Sequence, residues 1–165
     1  MRNFFNKLSP KTFQVLCILL CLAGDLSFSG YIYNFFSDKD SFLKNYEILR
    51  EPLLQAFKKQ GMILPKNFEH EIFHIMIQSL LMMIALFIFF HLIIYLFYYF
   101  NKRFAFLYIR LLGIFGTLGG LSFISSAFSN SVIWGILFIL VTVAYIFISF
   151  GTYHFPINSQ SKLEQ

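Results

Sequence analysis

The sequence predicts an all-α integral membrane protein, a bundle of four transmembrane helices with a short extracytoplasmic helical segment between helices 1 and 2. Three observations carry this. Hydrophobic residues make up 58% of the 165 and charged residues 13%, about half the charged share of a soluble domain, so a soluble fold this small has nowhere to hide its apolar surface. Apolar runs long enough to cross a bilayer recur at 13–35, 72–100, 104–127 and 132–151. The one sizeable polar stretch, 37–70, lies between the first two. Residues 1–165 therefore read as a single membrane domain.

The chain opens with Arg2, Lys7 and Lys11 and no acid before Phe13. The run that follows reads as an uncleaved span. A signal peptide ending at Ser27-Phe28-Ser29 competes with that reading. It fits less well, because apolar character resumes at Gly30-Tyr31-Ile32-Tyr33 and Asp25 falls just before the site.

In the polar stretch, Lys39, Lys44, Arg50, Lys58, Lys59 and Lys66 meet Asp38, Asp40, Glu47, Glu51 and Glu69. Asp40 is the expected N-cap of a helix over 41–50, striped by Phe42, Leu43, Tyr46 and Leu49. Pro52 is expected to open a second helix over 52–60, striped by Leu53, Leu54 and Phe57 and ended by Gly61. Two such amphipathic helices are expected on the membrane surface or capping the bundle.

The second span starts beside His70-Glu71-Ile72-Phe73-His74 and stops at Asn101-Lys102-Arg103. That turn is short enough to make spans two and three antiparallel neighbours. Phe128-Ser129-Asn130-Ser131 is a second tight turn. Bare positive charge at the N-terminus, at Lys102-Arg103 and at Lys162 places both termini in the cytoplasm and residues 37–70 outside; a plasma (inner) membrane is the expected location. Tyr95, Tyr98, Tyr99, Tyr145 and Tyr153 fit an interfacial aromatic belt.

Three constellations bear on chemistry. On a helix, His70 and His74 are one turn apart and face the same way, so both suit zinc, with Glu71 as the general base of a metal-bound water. A third ligand is hard to supply from nearby acids, and an ordinary helix start is the expectation. The second constellation is intramembrane: Asp25, His91 and Arg110. A charge there costs roughly 2.5–3.5 kcal/mol, so each needs a partner. At about 1.5 Å per residue, Arg110 lies about 9 Å, His91 about 13 Å and Asp25 about 20 Å from the cytoplasmic edge. These depths predict an Asp25–Arg110 ion pair with His91 hydrogen-bonded nearby; the alternative is a proton-responsive site. Third, Gly24 and Ser27 in the first span and Gly116 and Gly120 in the third make small-residue faces. They predict close packing of spans one and three, or a homodimer seam.

Cys17 and Cys21 share a face without the spacing of a redox pair, and read as packing residues. There is no phosphate-binding loop, no dinucleotide fingerprint and no nucleophile elbow. No basic stripe suits nucleic acid. The chain is expected to be a small polytopic interaction or accessory subunit rather than an enzyme. It needs no cofactor, sits in a lipid bilayer, and contacts a protein partner or a second copy. The alternatives are a membrane-embedded zinc metallohydrolase on His70, Glu71 and His74, and a small proton- or ion-responsive transporter or sensor on Asp25, His91 and Arg110.

Overall fold

The computed structural model describes residue 5 and residues 8–61 and 67–155. Arg2, Lys7, Lys66, Lys162 and the side chain of Leu49 lie outside the described residues. The described secondary structure is helical: α1 Pro10–Phe36, α2 Lys39–Lys59, α3 Phe68–Tyr99, α4 Arg103–Asn130 and α5 Val132–His154. All but α2 are long and apolar enough to cross a membrane. At about 1.5 Å per residue even α5 exceeds the roughly 30 Å hydrocarbon core.

Local chemistry sets the helix ends. Pro10 opens α1 at the position where its missing N–H costs nothing. Ser9 Oγ caps the same end, accepting from the Thr12 amide at 3.1 Å. The cap of α2 is Asp38 rather than Asp40, and its carboxylate accepts from the amides of Asp40 and Ser41. Bonds from the Ser41 hydroxyl and amide hold the Asp38 carboxyl below its usual range.

The two short helices expected over 41–60 are one, with Pro52 inside it. Proline removes a single N–H from an interior turn. Side-chain packing at both ends of α2 offsets that loss. Phe42 packs on Phe73 of α3 with ring centroids 5.1 Å apart, and Phe57 packs on Phe68 at 5.7 Å.

α3 ends on Asn101, which has φ 57°. The Lys102 amide reaches back to the Phe97 carbonyl and the Asn101 amide to the Tyr98 carbonyl, each at 3.0 Å. This is a Schellman ending with asparagine in the left-handed position. The Asn101 side chain also accepts from Gln14 Nε2 of α1, and the same nitrogen donates to the Tyr98 carbonyl at 2.8 Å. Asn101→Gly is expected to keep the turn and lose the Gln14 bond, whereas Asn101→Ala loses both. In detergent melts the order of stability should be wild type, glycine, alanine, with about 1 kcal/mol separating the last two. Equal melts for glycine and alanine would count against the turn assignment.

The turn after α4 is tighter than expected. α4 runs on to Asn130, and Ser131 alone joins it to α5, capping α5 by accepting from the Ile133 amide at 3.2 Å.

By packing, the chain divides into two compact units: Met1–Phe28 with Ile88–Gln165, and Ser29–Phe87. In the second unit, α2 is held to the start of α3 by the phenylalanine pairs, with Tyr46 buried. In the first unit, Phe13, Cys17 and Cys21 form a fully buried stripe on α1 at four-residue spacing. Facing residues in the same cluster are Ile94, Tyr95 and Tyr98 of α3, Phe106 and Ile109 of α4, and Tyr145 and Ile148 of α5. Leu19, Phe89, Leu118 and Leu140 are more than half exposed. Large apolar side chains thus point outward, an arrangement that suits lipid rather than water.

The small-residue faces serve a different contact from the one expected. α4 and α5 are the closely packed pair. Gly116 lies against the Tyr145 ring and Gly120 against Thr142 Oγ1, so a side chain at either would overlap α5. α1 and α4 instead meet through Phe28 and Phe123, edge to face at 6.0 Å. The physical reason is the single-residue link at Ser131. It forces α4 and α5 together, and glycines on α4 make room for the Tyr145 ring.

Candidate functional site

The first unit buries a polar cluster built from three helices. Asp25 continues the α1 stripe one turn beyond Cys21, so the packing that buries the thiols carries the carboxylate inward with them. On α3, His91 and Tyr95 are one turn apart on one face. On α4, Tyr108 sits in the second turn. Asp25 is 2% exposed and His91 4%.

His91 Nδ1 lies 2.8 Å from Asp25 Oδ2. The Tyr95 hydroxyl donates to the same oxygen at 2.5 Å. On the far side of the ring, His91 Nε2 lies 2.6 Å from the Tyr108 hydroxyl. The imidazole is held on both edges, and its ring packs against those of Tyr95 and Tyr108.

This geometry satisfies the cluster in either protonation state of His91. When the imidazole is charged, Nδ1–H donates to Asp25 and Nε2–H donates to the Tyr108 oxygen. When it is neutral, Nδ1–H still donates to Asp25, and Nε2 accepts from the Tyr108 hydroxyl, which needs only to rotate. Asp25 keeps two donors throughout. A buried charge is tolerated only with such partners.

Beside the cluster is a cavity of about 260 Å³. Asp25 lines it together with Gly116, Gly119 and Gly120 and the rings of Phe123 and Tyr145. The Tyr145 hydroxyl is set against Gly24.

The other sequence-predicted residues fall elsewhere. Arg110 does not pair with Asp25. Its guanidinium lies 3.7 Å over the ring centre of Tyr153 on α5. Arg110 is near the start of α4 and Tyr153 near the end of α5, so the antiparallel pair brings them to one end. There the cation finds an exposed aromatic face without crossing apolar surroundings. Ser27 returns its hydroxyl to the Ala23 carbonyl of its own helix at 2.7 Å. His70, Glu71 and His74 are exposed at the opening of α3. Among the described residues no group of three His, Cys, Asp or Glu is arranged to hold a metal ion. A catalytic zinc needs three protein ligands.

Sequence reasoning missed Tyr108 altogether and gave Tyr95, Tyr98 and Tyr145 to an interfacial belt. All of the last three are buried. The signal was present: Tyr95 follows His91 by four residues, on the face that a buried histidine must share. Compared with known proteins, the chain matches no protein-family model, no curated protein and no solved structure.

Proposed function

We propose that this chain is a four-span bundle in a plasma (inner) membrane that responds to protons through the Asp25–His91 pair. Both termini and the Asn101–Arg103 turn lie on the cytoplasmic side, and α2 lies outside. The orientation rests on Lys11, Lys102, Arg103 and Arg110 at one set of span ends without an acid among them, against the uncharged Ser131 link and the α2 segment, whose basic residues are balanced by Asp38, Asp40, Glu47 and Glu51, at the other.

The observation that carries the functional reading is the double hold on His91, with Asp25 at Nδ1 and Tyr108 at Nε2. A buried ion pair adds little to stability compared with apolar packing of the same volume. Its retention inside a membrane helix points to use. Tyr108 is half-buried, so it is the group through which Nε2 exchanges its proton with the surroundings. The accessory-subunit reading rests on outward apolar faces that lipid covers equally well, and no specific contact favours it. The zinc reading lacks a third ligand among the described residues.

The test is a histidine-labelled NMR titration in lipid nanodiscs from about pH 5 to about pH 9. The His91 signals, assigned through His91→Gln, should move through one transition, and Asp25→Asn should displace it. Tyr108→Phe should slow proton exchange at Nε2. A His91 signal that stays flat across the range would overturn the proposal.

A further inference from the structure

The bonds from His91 and Tyr95 both end on Asp25 Oδ2, and no described residue donates to Oδ1. Asp25 is the charged residue among those lining the 260 Å³ cavity. With Oδ2 engaged twice, Oδ1 is the carboxylate oxygen left for a ligand in the cavity. The walls there are the rings of Phe115, Phe123, Phe138 and Tyr145.

We infer that the cavity binds a small lipophilic ammonium ion, an arylalkylamine, with its ammonium on Asp25 Oδ1 and its ring among the phenylalanines, and that its binding releases the proton held by His91. The inference rests on the proton-site reading above and names the ligand class for it.

Charge balance selects the ligand. With His91 protonated the pair is neutral. With His91 neutral the cluster carries the single negative charge of Asp25 in apolar surroundings. A cation in the cavity restores neutrality, whereas an anion worsens the imbalance and a neutral molecule leaves it. The exchange balances as one ammonium ion entering and one proton leaving Nε2 through Tyr108 to water.

The lining selects further. Hard metal ions take six or more oxygens, and this cavity offers one carboxylate, the Ser27 hydroxyl already given to Ala23, and Tyr145. Aromatic faces attract an organic cation once water is excluded. A cavity of about 150 Å³ holds a benzene ring, so this one has room for a ring with a short amine-bearing chain.

The titratable groups that face the pair are Cys21 on α1, Tyr95 on α3, Tyr108 on α4 and Tyr145 on α5. None of them supplies a positive charge. Arg110 is held over Tyr153.

The experiment is calorimetric titration of the full chain in phosphatidylcholine nanodiscs with 2-phenylethylammonium, with empty nanodiscs as the blank. Two buffers of different ionisation enthalpy report the proton. Below the His91 transition close to one proton should be released per amine bound, and affinity should rise with pH until His91 has lost its proton, after which release should fall to zero. Asp25→Asn should weaken binding about 100-fold. 2-Phenylethanol should bind weakly and without pH dependence.

Gly119 lines the cavity, and a side chain begun there meets no atom within 4 Å. Gly119→Leu should therefore fill the cavity, abolishing amine binding while the His91 titration stays intact. Amine binding without proton release at a pH below the His91 transition, or equal binding by Asp25→Asn, would overturn the inference. No binding by a wild type whose His91 still titrates overturns the ligand class alone. A His91 that does not titrate overturns the proton site and the inference with it.

Discussion

Asp25→Ala is expected to destabilise the protein in micelles by about 3 to 5 kcal/mol, the range for breaking a buried pair by removing one partner. Two donors lose their acceptor at once. His91 Nδ1 and the Tyr95 hydroxyl both point at Oδ2 from buried positions, and an apolar surround gives them no substitute. Alanine also leaves a void beside the existing cavity. Replacing all three groups, as Asp25→Leu with His91→Leu and Tyr95→Phe, should recover more than half of the loss, since apolar groups of similar volume leave no donor without its acceptor. The triple variant would have lost the proton response, which separates stability from use. Denaturant titration followed by circular dichroism measures both changes. An Asp25→Ala protein as stable as wild type would show that the carboxylate is not the buried acceptor described above.

Gly120→Ala is the second large effect, about 1 to 3 kcal/mol of overpacking. The added methyl overlaps Thr142 Oγ1 and comes within 3.2 Å of Thr142 Cβ. The helices have no slack to absorb this, because Ser131 alone joins α4 to α5. Thr142 cannot easily turn away either, since its hydroxyl donates to the Phe138 carbonyl at 2.7 Å. Thr142→Ala in the same chain removes the overlapping oxygen and should restore most of the stability. In a double-mutant cycle the pair should couple by more than about 0.5 kcal/mol. Additive effects would mean that the two residues do not touch.

Much of the framework was legible because its causes are local. A long run without charge has one stable outcome in lipid, a helix that satisfies its own backbone. That is why the four apolar helices came out within a few residues of expectation. Errors began where a local rule competed with packing. Pro52 reads as a helix start by propensity, yet Phe42 and Phe57 hold one continuous helix against α3. The cap moved from Asp40 to Asp38 because both amides of the first turn point back to the earlier residue.

The site was legible in part. Asp25 and His91 stand out as ionisable groups within apolar runs, and the structure brings them within 2.8 Å. Arg110 stood out for the same reason and went elsewhere. Counting residues gives depth along a helix, and depth put Arg110 beside His91. It does not give the rotation of each helix about its axis. Rotation decides whether a side chain meets Asp25 or the ring of Tyr153.

The sequence by itself determined which segments are helical, which are apolar enough to cross a membrane, and which ionisable residues lie within them. Those properties follow from composition and period along one strand of chain. Tertiary structure alone decided that Tyr95 and Tyr108 clasp the histidine, that the glycines of α4 serve α5, and that a cavity opens beside Asp25. Each of these depends on how helices distant in sequence turn their faces to one another. That choice is made by side-chain volume summed over all the packed helices, a quantity that no single helix carries.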